Sequence, residues 1–213
     1  MNILDFYIDR SKTNTSILIR REQVSTDKIL FLDRDGVMIH DVGHISSASS
    51  VEIIHGLNDL LLTARKKGYS FCVVTNQSSI PRGIINYFEY IEITCAMLKL
   101  IPQDLWPSYI LASFWHPKFS KTSNNSSWRK PGCGMFEYIE RISKINVNKS
   151  IMIGDKLSDL IPANKFGIKR LIYLESNHHK NEINKILLWD KEHEANVEFM
   201  DSFNIKQSMT EQE

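Results

Sequence analysis

The chain has 213 residues, with 26 Lys and Arg against 25 Asp and Glu, 42% hydrophobic residues and 3 cysteines. At this length one domain buries roughly 70% of its unfolded surface without disulfides, and Cys72, Cys95 and Cys133 form no CxxC pair, so a disulfide scaffold is excluded and reduced thiols in a cytoplasmic protein are expected. A formal charge of +1 lacks the surplus of a sequence-independent nucleic-acid binder, and neither a signal-peptide core nor a run approaching the ~20 apolar residues of a membrane span is present.

Met1 to Arg21 alternates weakly and reads as a hairpin within an N-terminal extension over residues 1–28. From residue 29 to 174 short β-branched runs alternate with amphipathic stretches, the pattern of an α/β, Rossmann-like parallel sheet flanked by helices. The first strand is Ile29-Leu30-Phe31-Leu32. Leu57, Leu60, Leu61 and Ala64 then recur at helical spacing between Gly56 and Lys67, with Gly68 as the stop. A second strand, Phe71-Cys72-Val73-Val74, gives way abruptly to Thr75-Asn76-Gln77-Ser78. A helix from about Asn86 to Leu100, a strand at Tyr109 to Ala112 and a polar loop from Ser113 to Ser127 follow. Phe136, Ile139 and Ile142 mark a third helix, Ser150 to Ile153 a fourth strand, and Lys169 to Leu174 a fifth. Pro162 costs little only in a first helical turn, which places the start of the intervening helix near Ser158. Residues 175–213 read as a C-terminal helical segment and polar tail, and no stretch is long enough for a large cap domain.

In an open α/β sheet, ligands bind beyond the carboxyl ends of the strands, and the polar residues collect there. The first strand runs into Asp33-Arg34-Asp35-Gly36. Because strand side chains repeat every two residues, Asp33 and Asp35 can share one side, where two like charges call for a shared proton or a metal. Gly36 lets the chain turn away with no Cβ in the site. The fourth strand ends in Gly154-Asp155, with Asp159 four residues on, adding the hard oxygen donors that Mg²⁺ prefers. Thr75, Asn76 and Lys130 supply donors of the kind that hold phosphoryl oxygens.

Asp33-x-Asp35-Gly36, Thr75, Lys130 and Gly154-Asp155-x-x-x-Asp159, in that order at successive strand ends, resemble the four motifs of the haloacid dehalogenase (HAD) superfamily. The strings LDRDGV, VVTNQS, RGI, RKP and IGDKLSD resemble its histidinol-phosphatase and heptose-bisphosphate phosphatase group. The resemblance implies a Mg²⁺-dependent phosphatase for a small sugar phosphate or bisphosphate in carbohydrate metabolism. It makes Asp33 the nucleophile that forms an aspartyl-phosphate and Asp35 the general acid and base. It places Mg²⁺ on the Asp33 carboxylate, the Asp35 backbone carbonyl and Asp155, with Asp159 in support. Thr75, Asn76 and Lys130 would hold the phosphoryl group, and Arg129, Arg82 and Lys156 would meet the rest of the substrate. The alternatives are a histidinol-phosphate-like substrate, or a catalytically weak domain that binds a phosphometabolite or a protein.

One departure stands out. Members of the heptose group usually carry a zinc loop with C-x-H and then C-x-C immediately before the Arg-Lys pair. Those positions here read Ser113-Phe114-Trp115 and Ser126-Ser127-Trp128, and Ser and Trp cannot replace thiolate or imidazole at zinc, so no structural zinc is expected. Either packing of Phe114, Trp115 and Trp128 orders this loop or it is left mobile, and substrate identity is affected more than the phosphatase chemistry. His178-His179 read as solvated side chains, the sequon Asn124-Asn125-Ser126 carries no meaning in a cytoplasmic protein, and Cys72 reads as a buried hydrophobe.

Overall fold

The computed structural model describes residues 5–9, 12–22, 26–121, 126–176 and 181–201. The start of the expected hairpin, His178-His179, Asn124-Asn125 and the tail from Ser202 lie outside these residues. Thirteen elements follow in chain order: β1 (Phe6–Asp9), β2 (Thr15–Arg20), β3 (Ile29–Leu32), α1 (Leu57–Lys66), β4 (Ser70–Asn76), α2 (Tyr87–Lys99), β5 (Tyr109–Ser113), α3 (Gly134–Ile142), β6 (Ile151–Gly154), α4 (Leu157–Phe166), β7 (Arg170–Leu174), α5 (Glu182–His193) and β8 (Glu198–Met200).

They build one eight-stranded sheet in the order β1-β2-β5-β4-β3-β6-β7-β8. The six strands from β5 to β8 in this order are parallel to their neighbours, while β1 and β2 pair antiparallel with each other and β2 antiparallel with β5. From β3 the chain first winds through β4 and β5 to one side, and β6 then begins the other side. The crevice between the carboxyl ends of β3 and β6 is therefore the topological switch point, where open α/β sheets bind ligands. The Asp33 amide donates to the Ile153 carbonyl across it, at 3.0 Å.

Strand periodicity sorts the core into two layers. Leu30, Leu32, Phe71, Val73, Ile110, Ile151 and Ile153 face α1 and α2, while Ile29, Phe31, Cys72, Val74, Leu111 and Met152 face α3, α4 and α5. In α1 the four residues read from spacing, Leu57, Leu60, Leu61 and Ala64, are all buried. Asn86 opens α2 by accepting from the Phe88 and Glu89 amides, while Glu89 accepts from the Asn86 amide, a reciprocal cap.

Three features differ from the sequence reading. The hairpin is not an appendage: β2 extends the main sheet, with Leu18 buried in one core layer and Ile17 in the other. A short strand, β8, pairs parallel with β7 and is tied down by Arg170, which donates to Glu198 at 2.8 and 3.0 Å. Helix α4 starts at Leu157, next to the expected Ser158, but Pro162 lies in its second turn rather than its first. No helix among the described residues is long and apolar enough to cross a membrane.

Because Leu61 is fully buried and its neighbour Leu62 is 40% exposed, Leu61→Ala should lower unfolding free energy by about 2–5 kcal/mol. Leu62→Ala should change it by less than about 1 kcal/mol. Urea denaturation of both variants measures the difference.

Candidate active site

The centre of the site is the ammonium of Lys130, whose side chain is 1% exposed. It lies 2.9 Å from Asp33 Oδ1 and 2.7 Å from Asp159 Oδ1, and donates to the Val74 carbonyl at 2.6 Å. An ammonium has three protons and three partners suit it. Burial alone would lower the Lys130 pKa, but Asp159 and Asp33 more than offset this and hold it above the usual lysine value. Lys130 therefore stays charged.

Asn76 secures the backbone beneath that side chain. Its Oδ1 accepts from the Lys130 amide and its Nδ2 donates to the Lys130 carbonyl, both at 3.0 Å. The Asn76 side-chain amide is thus turned to the Lys130 peptide. Asp159 likewise does two jobs. Oδ2 accepts from the Lys156 amide at the start of α4, a helix cap, while Oδ1 pairs with Lys130. Gly154 makes this approach possible, since a Cβ there would lie 2.4 Å from Asp159 Cβ.

Carboxylate oxygens of Asp33, Asp155 and Asp159 come within 4.8 Å of one another, and all three residues are buried. Asp155 is pushed up to about 8 by burial first, then by the negative charge of Asp159 and Asp33. Its Oδ2 accepts from Ser176 Oγ at 3.2 Å and lies 3.6 Å from Lys156 Nζ, which also pairs with Asp41 at 3.2 Å. Gly36 has φ +90°, and a Cβ on it would stand 2.1 Å from Asp155 Oδ2. Only glycine combines that backbone with that proximity.

Asp35 stands outside this cluster, which corrects the expected crowding of Asp33 and Asp35. Its carboxylate is taken by Arg34, whose Nε and Nη2 donate to Oδ1 and whose Nη2 also reaches Oδ2, at 2.9–3.0 Å. Gln77 Nε2 donates to Asp35 Oδ2 at 2.7 Å and to Thr75 Oγ1 at 2.9 Å, while Gln77 Oε1 accepts from Arg34 Nη2 at 2.8 Å. Sequence reasoning passed over both residues. Arg34 was only the variable position of Asp-x-Asp, although Gln77 stood in the polar run that ended a buried strand.

A second, cationic patch lies around His116. Arg82 Nη2 is 3.3 Å from His116 Nε2 and its guanidinium stacks 4.7 Å from the Phe119 ring centre. Burial and then the nearby Arg82 lower the Arg129 pKa; burial, Arg129, Arg82 and Lys118 lower that of His116. Like charges gathered this way favour an anion. Arg129 Nη1 donates to the Trp115 carbonyl at 3.3 Å. The loops carrying His44 and Ser79 also meet, at 3.0 Å. Cys133 touches the Pro162 carbonyl, and burial followed by Glu137 pushes its thiol up, away from the thiolate a nucleophile needs.

Comparison with known proteins fits this architecture. A family model described as HAD-hydrolase-like matches residues 127–203. D-glycero-beta-D-manno-heptose-1,7-bisphosphate 7-phosphatases of Haemophilus influenzae and Photorhabdus laumondii are 34% and 33% identical; the alignments cover 63% and 67% of this chain and 74% and 79% of those proteins. Among solved structures, a D,D-heptose 1,7-bisphosphate phosphatase from B. bronchiseptica, complexed with magnesium and phosphate, superposes with a TM-score of 0.66 at 22% identity, covering 74% of this chain and 86% of that one. A HAD-like protein of Mesorhizobium loti reaches 0.72 at 23% identity, covering 79% and 83%.

The chain belongs to the HAD superfamily of phosphatases and resembles its heptose-bisphosphate phosphatase group. It is a phosphoric monoester hydrolase.

Removing the Lys130 ammonium leaves Asp33 and Asp159 buried and uncompensated. Lys130→Ala should therefore destabilise the fold by about 3–5 kcal/mol, read from chemical denaturation. Gly36→Ala should leave a folded protein by circular dichroism, yet abolish phosphate release by displacing Asp155.

Proposed function

We propose that the protein is a Mg²⁺-dependent phosphatase of a small sugar bisphosphate, of the heptose bisphosphate type. The observation that carries this reading is the juxtaposition of the Asp33, Asp155 and Asp159 carboxylates with the buried Lys130 ammonium. The names of the relatives support the substrate class.

The donor set fits a hard divalent cation: clustered carboxylate oxygens, buried, with Asp155 otherwise holding a proton near neutral pH. Asp33, Asp155 and the Asp35 backbone carbonyl would hold it, while Asp159, already committed to Lys130 and the α4 cap, supports them. When bound, Mg²⁺ would neutralise phosphoryl charge and the mutual repulsion of the carboxylates.

The side chains divide the reaction as follows. Lys130 fixes the rotamer of Asp33 and lies beside it to stabilise charge on the transferring group. A carboxylate oxygen of Asp33 attacks phosphorus as the bond to the sugar oxygen breaks, giving an aspartyl-phosphate. Asp35 gives its proton to the departing oxygen, then takes one from the water that attacks phosphorus, restoring Asp33 and releasing phosphate. For Asp35 to meet the departing oxygen its pairing with Arg34 must open, since both of its carboxylate oxygens are engaged by that guanidinium. Gln77 keeps Asp35 near Thr75, whose hydroxyl faces the phosphoryl group. Arg82 and Arg129 receive the second anionic group of the substrate, while Lys156 balances Asp41 and Asp155 at the carboxylate cluster. A small phosphorylated sugar is thus the partner.

Colorimetric phosphate release from a sugar-phosphate panel tests the reading. Wild type with Mg²⁺ should release phosphate, chelation should stop it and added Mg²⁺ restore it. Asp33→Asn should reduce turnover by about 10³-fold or more. Gln77→Leu should lower kcat by about tenfold or more with little change in KM, because it disturbs the proton donor rather than binding. A folded wild type that releases phosphate from no substrate would contradict the proposal.

A further inference from the structure

The loop from Phe114 to Trp128 leads from β5 to Arg129, and its two ends must be held if that guanidinium is to stay in place, whereas Lys130 beside it is fixed separately by Asn76, Asp33 and Asp159. Antiparallel pairing decides which part of the hairpin can do this. β2 runs against β5 with Thr15 opposite Ser113, so the turn that precedes β2 lands at the carboxyl end of β5, on the catalytic edge of the sheet. The opposite orientation would have put that turn at the far edge.

That turn touches both ends of the loop. At the incoming end, the Asn14 carbonyl accepts from the Phe114 amide at 2.8 Å. Asn14 has φ 55°, a left-handed conformation that Asn tolerates better than most residues, and Thr15 Oγ1 closes the turn on the Lys12 carbonyl at 2.9 Å. At the outgoing end, Lys12 Nζ lies 5.6 Å from the Trp128 ring centre, and Trp128 packs on Tyr138 with ring centres 5.4 Å apart. The Tyr138 hydroxyl donates to Asp9 Oδ2, in β1. Trp128 is buried and immediately precedes Arg129, whose guanidinium donates back to Trp115. The ends of the loop are thereby joined to each other and to one hairpin.

We propose that the β1–β2 hairpin is a specificity-determining clasp: by gripping both ends of the 114–128 loop it positions Arg129 toward the part of the substrate remote from the transferred phosphate. Lys12, Asn14 and Tyr138 are positioning residues in this scheme. None touches the carboxylate cluster, so the hairpin governs recognition and leaves the chemistry at Asp33 alone. The inference rests on the substrate reading above, because it needs a second anionic group for Arg129 to meet.

Steady-state kinetics of the full chain with a sugar bisphosphate and with p-nitrophenyl phosphate, which has no second anion, separates the roles. The Lys12→Ala/Tyr138→Phe variant should raise KM for the bisphosphate by about tenfold while kcat, and both constants for p-nitrophenyl phosphate, stay within about twofold of wild type. Adding Arg129→Ala to that variant should raise KM no further than Arg129→Ala alone, since the hairpin acts through that residue. Should the double substitution impair folding, Lys12→Ala alone, at the hairpin turn, must show the same selective rise. Equal losses on both substrates, unchanged kinetics on both, or additive effects with Arg129→Ala would overturn the clasp. A wild type that hydrolyses p-nitrophenyl phosphate but no sugar phosphate would instead refute the substrate reading, and the clasp with it.

Discussion

Everything at the catalytic end hangs on one buried ammonium. Lys130 ties Asp33 at the end of β3, the Val74 carbonyl in β4 and Asp159 in the first turn of α4 to a single nitrogen. Burying an unpaired charge is prohibitive, so these elements must converge for the chain to fold, and their convergence creates the site. The same contact balances part of the negative charge of Asp33, Asp155 and Asp159. Stability and function therefore draw on one set of atoms, with the Asn76 amide holding the Lys130 peptide in register.

Around that ammonium the charges are sorted by task. The carboxylate cluster sits at the switch point between β3 and β6, where strand order reverses and the backbone leaves room for a ligand. Asp35 is kept apart by Arg34 and Gln77, which separates its carboxylate from that of Asp33, only two residues away. The Arg82 and Arg129 guanidiniums gather at a third location, where mutual repulsion lowers the Arg129 pKa behind the effect of burial. Near-neutral charge over the whole chain conceals this partition entirely.

How much of this was legible in the sequence follows from the range of each interaction. Asp33, Thr75, Asp155 and Asp159 were readable because each closes or follows a buried apolar strand or opens a helix, and chain order alone brings such positions together at one edge, while Lys130, in the loop before α3, was readable from the RKP string. The α1 face was readable because helical spacing is local. Arg34 and Gln77 were not: what gives them a role is contact with Asp35, across 42 residues in the case of Gln77. The hairpin could be suspected from alternation, yet nothing local states that its partner is β5. β8, three residues long, carries too short a pattern to register, and its identity depends on the Arg170–Glu198 pair.

The central claim is that Asp33 is the atom donor to phosphorus, with Lys130 holding it for that purpose. Rapid quenching of wild type during turnover, reduction of any acyl-phosphate with borohydride and peptide mass spectrometry tests it directly. The account predicts homoserine in place of aspartate at position 33 and nowhere else. Reduction at Asp35 or Asp155 instead, or no reduced residue while phosphate is being released, would contradict it.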